Sequence, residues 1–175
     1  LDGYLNSYSP EFATDVIEQA AKFFSGWMWS NQTIDPYTVT GLVLATWVQT
    51  LWVWRPQIAV CGATGSGKSY LFEALGRIFG PLASLSSQSS AAGLRQSLCH
   101  SAVVALCDEF DSTNEKQKIR EMIRAASRGD HVLRGTGNQK GTSFTLRHMF
   151  WLAGISVEMR RAPDRNRFIL MNLIT

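Results

Sequence analysis

Apolar positions along this chain follow two rhythms, helical spacing in some stretches and short unbroken runs in others. Over Pro10–Trp29, Phe12, Val16, Ala20, Phe23 and Phe24 recur at the spacing of one helix face, which predicts a first helix. Pro36 suits the first turn of a second helix, which runs to about Leu51 before Arg55-Pro56 breaks it. Gln57–Cys61 reads as a short buried strand, Gly62–Gly67 as a loop, and Lys68–Phe79 as a helix stopped at Gly80-Pro81. Pro81–Ser86 reads as a strand and Ala91–Leu98 as a helix, joined by the polar stretch Ser84–Ala92. Ser101–Cys107 is almost uninterrupted in its apolarity, as expected for a central parallel strand buried on both faces.

Ser112-Thr113-Asn114-Glu115 has the form of a capping box. Ile119, Met122, Ile123 and Ala126 then recur at helical spacing up to Gly129. His131–Gly135 and Thr142–Arg147 are strand-like runs around the turn-rich Thr136–Gly141, a β-hairpin signal. Met149–Ile155 and Phe168–Leu173 complete the set of apolar strands. Strands separated by helices predict an α/β fold: a mainly parallel five-stranded sheet with helices on both faces, an inserted β-hairpin and an N-terminal helical extension. Residues 1–53 form the helical segment and 54–175 the core. Trp27, Trp29, Trp47, Trp52 and Trp54 are expected in the core.

With 175 residues, 45% of them apolar and 18% charged, the chain is long enough for one globular domain with a real core. It begins at Leu1 rather than Met, which reads as a piece of a longer protein. Cys61, Cys99 and Cys107 lack metal-ligand spacing and fit reduced, buried thiols in a cytoplasmic setting. The most apolar stretch, Val39–Trp54, is interrupted by Gln49 and is shorter than the ~20 residues of a membrane span. It reads as a core helix, with no membrane role. The net charge is only +3, but residues 115–170 hold twelve Lys and Arg against five Asp and Glu. Such a basic half suits a phosphate backbone, nucleotide phosphates at a subunit interface, or solubility.

Gly62-Ala63-Thr64-Gly65-Ser66-Gly67-Lys68-Ser69 fits the pattern G-x-x-x-x-G-K-S/T in full. Its glycines let the backbone wrap a β-phosphate with N–H groups pointing inward. Lys68 is suited to neutralise β- and γ-phosphate oxygens, and the Ser69 hydroxyl to ligate Mg²⁺. The helix that follows aims its positive end at the anion. A buried strand before the loop and a helix after it supply the expected context. Gly62 to Ser69 and the next residue, Tyr70, are the candidate ATP contacts.

Asp108 and Glu109 follow the apolar run at the end where a parallel sheet opens its ligand crevice. Asp108 suits a Mg²⁺ site and Glu109 a water-polarising role, a pairing that favours hydrolysis with turnover. Asp111 reads as a turn residue.

With these motifs in place, the chain resembles the AAA+-type helicase domain of superfamily 3, found in viral, phage and plasmid replication proteins. It is closest in style to prophage primase–helicases. The resemblance rests on the order of WRPQIAVCGATGSGKS (54–69), SSAAGLRQSL (89–98), VVALCDEFD (103–111), residues 127–156 and APDRNRFILMNL (162–173). It implies a P-loop NTPase that works as a hexameric ring with ATP between subunits. It further implies a pore hairpin that grips single-stranded or forked DNA, RNA being a second candidate, here through Arg134, Asn138, Gln139 and Lys140. The family's γ-phosphate sensor, usually Asn at the end of the fourth strand, would be Ser156. A finger arginine for the neighbouring subunit would come from Arg160, Arg161, Arg165 or Arg167, with Arg165 and Arg167 fitting the pattern best. Three functions stay open: a replicative helicase, an ATPase that loads helicases or remodels DNA, and a nucleotide-dependent assembly switch.

Overall fold

The computed structural model describes residues 10–87, 90–98, 101–110, 116–129, 131–135, 141–157 and 162–175, excepting the side chains of 131–135, 141–144 and 163. The strand β1 (Gln57–Gly62) shows why the apolar runs are unbroken. Ile58 and Val60 enter one hydrophobic cluster while Ala59 and Cys61 enter the other, so neither face meets water. β1 pairs in parallel with β6 (Phe150–Gly154) on one side and with β7 (Phe168–Leu173) on the other. β6 pairs with β3 (Val104–Cys107), and β3 with β2 (Ala83–Ser86). The result is a five-stranded, all-parallel sheet in the order β2-β3-β6-β1-β7. The fold is α/β, with helices on both faces, and is compatible with a Rossmann-like or P-loop arrangement.

One face is covered by α1 (Pro10–Phe24), α2 (Asp35–Trp47) and α3 (Lys68–Phe79), which contribute Phe24, Val39, Leu42, Leu71, Phe72 and Leu75. The other is covered by α4 (Ala91–Leu98) and α5 (Lys116–Arg128), through Leu94, Leu98, Ile119 and Ile123. β4 (His131–Gly135) and β5 (Gly141–Thr145) pair antiparallel, as the hairpin signal predicts, in a two-stranded sheet of their own. The short α6 (Ala162–Arg165) leads into β7. Among the described residues no helix is long and apolar enough to cross a membrane.

Several boundaries differ from the sequence expectation. The first helix stops at Phe24 rather than Trp29. The Trp29 indole N–H donates to the Phe24 carbonyl at 2.7 Å, and the chain then turns along the outer edge of β7. There Ser30 N–H donates to Asn172 O, and Ile174 N–H to Met28 O, both at 2.8 Å. This short segment shields an otherwise open strand edge. The second helix stops at Trp47, with a separate 3₁₀ turn at Gln49–Leu51. The buried Gln49 amide bridges the start of two strands, donating to Ala102 O at 2.7 Å and accepting from Met149 N–H at 2.6 Å. The Gln49 carbonyl takes Arg55 Nε at 2.9 Å, so its polar groups serve the sheet rather than a longer helix.

The α1 face is also a correction. Of the expected face Phe24 is buried, but Phe12, Val16 and Phe23 are about half exposed, and Ala21 is buried in their place. Trp27 and Trp29 are buried as expected, but Trp47, Trp52 and Trp54 stay between 44% and 48% exposed. Cys107 is buried, which pushes its thiol up to about 12 and leaves it inert, and Cys61 is half-buried. Cys99 lies outside the described residues.

Candidate active site

The loop between β1 and α3 takes a shape that its glycines permit. Gly65 and Gly67 have φ of +83° and +87°, in the left-handed region that side chains with a Cβ avoid. Gly62 is fixed by contact, since an added Cβ would lie 2.6 Å from Ser66 Oγ and 2.8 Å from Leu173 O. Lys68, the first residue of α3, folds back over this loop. Its Nζ donates to Gly62 O at 2.8 Å, to Ala63 O at 2.7 Å and to Ser66 Oγ at 3.3 Å. A primary ammonium is therefore centred on the loop, at the positive end of a 12-residue helix.

Asp108 and Glu109 stand at the C-terminal end of β3. Asp108 is held by its backbone N–H on Ser86 O at 2.9 Å. Its Oδ1 accepts the Glu109 backbone N–H, also at 2.9 Å. Glu109 has φ of +53°, the one positive value among described residues other than glycine. A left-handed non-glycine residue costs about 1–2 kcal/mol. Such strain is found where a side chain must be aimed.

These groups meet in one cleft of about 540 Å³. Thr64, Gly65, Gly67, Lys68, Ser69 and Tyr70 line one side, and Asp108 and Glu109 another, with Ala153, Gly154 and Ile155 at the end of β6. Gly62, Ala63 and Ser66 build the loop behind the lining. The cleft lies beyond the C-terminal ends of parallel strands, where α/β sheets hold ligands. Among the described residues no three His, Cys, Asp or Glu side chains form a metal cluster. A hydroxyl on Ser69 and a carboxylate on Asp108 are hard oxygen donors that suit Mg²⁺ shared with phosphate oxygens and water. The residues present thus fit both the nucleotide and its ion.

Other candidate residues lie elsewhere. Ser156 is exposed, two residues beyond the end of β6, and does not line the cleft. Arg165 is exposed on α6 and Arg167 is half-buried before β7, both outside the cleft lining. Arg134 sits on β4, its side chain outside the described residues, as are Asp111, Asn138, Gln139, Lys140, Arg160 and Arg161.

Two features were not legible in the sequence. The Trp27 indole donates to the Gly67 carbonyl at 3.1 Å and stacks on Tyr70, ring centroids 5.6 Å apart. No periodicity or motif announces a contact between a helix end and a loop so distant in the chain. The second is a fork between α5 and α6. Arg124 Nε and Nη2 donate to the two oxygens of the nearly buried Asp164 at 2.6 and 2.7 Å. The hydrogen bond from Arg124 holds the Asp164 carboxyl below its ordinary range, and burial opposes that only in part. This pair fixes the turn that carries Arg165 and Arg167.

A lowered folded-state pKa contributes stability above the unfolded value, about pH 4 for Asp, that is lost as pH falls through the folded one. Arg124→Ala is expected to destabilise the fold by about 2–3 kcal/mol at pH 7, since it takes both fork hydrogen bonds from a buried carboxylate and leaves it only the charges of Arg120 and Arg167. Urea melts between pH 7 and pH 2.5 should show this gap closing on the acid side. An equal loss at both ends would mean that Arg124 acts through packing.

Neither a scan against protein-family models nor a search of curated proteins finds a match to this chain, so the chemistry of the cleft is read from its own residues.

Proposed function

We propose that this chain is the ATP-hydrolysing motor domain of a nucleic-acid translocase, an AAA+-like P-loop ATPase acting as a replicative DNA helicase. The observation that carries the reading is the single cleft in which Lys68 and Ser69 face Asp108 and Glu109 beyond the sheet's C-terminal edge. In this role Lys68 neutralises charge on the β- and γ-phosphate oxygens, and the inward N–H groups of 62–69 cradle the β-phosphate. Ser69 and Asp108 would hold Mg²⁺. The ion when bound supplies Lewis-acid neutralisation of the phosphate oxygens. Glu109, exposed at the cleft, orients the attacking water and accepts its proton as the new O–P bond forms and the bond from the γ-phosphorus to the bridging oxygen breaks, releasing ADP and phosphate.

Arg165 projects from the surface on a turn braced by the Arg124–Asp164 fork, as an arginine offered to a neighbouring subunit must. A ring with ATP between subunits, of the hexameric kind, is the assembly this implies. The β4–β5 pair stands apart from the main sheet, which leaves its connecting residues, including Lys140, as the proposed backbone grip on DNA.

The test is a strand-displacement assay with the full-length protein on forked DNA. Lys140→Ala is expected to weaken single-strand DNA binding about tenfold and to reduce unwinding in step, with ATP affinity retained. Hydrolysis that responds to DNA without separating strands would assign the domain to loading or remodelling instead. Unchanged unwinding by the variant would remove Lys140 from the grip.

A further inference from the structure

A second groove of about 400 Å³ opens beside the loop, on the side facing the end of α1. It is continuous with the cleft, because Gly65, Gly67 and Tyr70 line both. We propose that this groove seats the base of the nucleotide, and that it selects a purine. The proposal rests on the reading of 62–69 as the triphosphate site.

The wall of the groove is bolted to the loop itself. Trp27 hydrogen-bonds the Gly67 carbonyl, and a Cβ placed on Gly67 would meet Trp27 Cδ1 at 3.3 Å. Tyr70 stacks on Trp27 at an interplanar angle of 29°, and Phe23 meets Trp27 edge-on at 5.6 Å. Around the buried Trp27, the side chains of Phe23, Met28 and Tyr70 remain 51%, 55% and 68% exposed. Aromatic faces and a polarisable thioether bind a flat π-system well and a charged or aliphatic group poorly.

The charge pattern points the same way. Among the described residues no charged side chain lines this groove, whereas Lys68, Asp108 and Glu109 all line the adjoining cleft. With Lys68, and the Mg²⁺ that the carboxylate side would help hold, serving the phosphates of the proposed nucleotide at one end, the uncharged groove suits a neutral, planar group at the other. The groove gives area more than hydrogen-bonding pattern, so a two-ring base gains over a one-ring base by the surface it covers.

The experiment is isothermal titration of the protein with ATP, UTP and inorganic tripolyphosphate, each with Mg²⁺. The wild type is expected to bind ATP about tenfold more tightly than UTP or tripolyphosphate. The double variant Phe23→Ala, Met28→Ala should lose that advantage, with ATP falling to the level of tripolyphosphate, whose own affinity stays within about twofold. Phe23→Tyr should retain the advantage. An ATP-to-tripolyphosphate ratio of about one in the wild type overturns the base seat and leaves the phosphate loop standing. So does a double variant in which both ligands weaken together. A wild type that binds neither ligand overturns the phosphate site and the base seat alike.

Discussion

Replacing Lys68 with alanine is expected to lower Mg²⁺-dependent ATP hydrolysis at least a hundredfold, about 2.7 kcal/mol of transition-state stabilisation. The expectation follows from where the ammonium sits. Its three partners, Gly62 O, Ala63 O and Ser66 Oγ, all belong to the loop, so the charge is centred on the space that the loop encloses. Phosphoryl transfer asks little covalent chemistry of a protein and much charge placement. A single cation at the loop's focus is therefore the largest lever in the cleft. Lys68→Arg should not rescue, because a planar fork cannot occupy the position of a compact ammonium set between two carbonyls. The folded state should hardly change, since Lys68 is half-exposed and its bonds are local. Malachite-green turnover and a thermal melt on the same samples separate the two effects. Hydrolysis above a tenth of wild type, with the fold intact, would remove Lys68 from the reaction.

The parts of this molecule that the sequence announces are the locally encoded ones. The loop is one contiguous octapeptide whose glycines are needed for backbone shape, and Gly65 and Gly67 do adopt left-handed φ. Strands buried on both faces advertise themselves as apolar runs, as β3 and β6 do, whereas the edge strand β7 keeps Leu170 and Asn172 exposed. Asp108 and Glu109 follow from β3 because a strand's C-terminal end is a fixed place in a parallel sheet. Long-range arrangements are not encoded this way. The α1 stripe of Phe12, Val16, Ala20, Phe23 and Phe24 has helical spacing, yet of these the helix buries Phe24 alone, together with Ala21, because spacing identifies a face and not its partner. Trp47, Trp52 and Trp54 are as apolar as Trp29 but stay about half exposed, because contacts such as Trp47 on Phe79 and the Trp52 indole on Ala45 O cover them only in part. Gln49 and Gln57 look like interruptions in the sequence. In the fold they satisfy backbone groups where β6 begins, through Met149 N–H and Phe150 N–H at 2.6 and 2.7 Å. Each depends on a partner about a hundred residues away.

Glu109→Gln is expected to cut hydrolysis by a hundred- to a thousandfold while ATP stays bound with near wild-type affinity. The amide matches the carboxylate in shape and can still hydrogen-bond water, but it cannot accept the proton that the attacking water must lose. The left-handed backbone at Glu109 adds a second, separable consequence. Glutamine keeps the strain, so Glu109→Gln should leave stability within about 0.5 kcal/mol of wild type. Glycine relieves the strain at some cost in unfolded-state entropy, so Glu109→Gly should be more stable by roughly 0.5–1 kcal/mol and equally inactive. The pair of variants tells strain from chemistry. A glycine variant that is both more stable and dead means the fold tolerates an unfavourable φ because the carboxylate is needed at the cleft. A glutamine variant that hydrolyses ATP at the wild-type rate would deny Glu109 its role and favour an assembly switch, in which nucleotide binding rather than turnover is the working event.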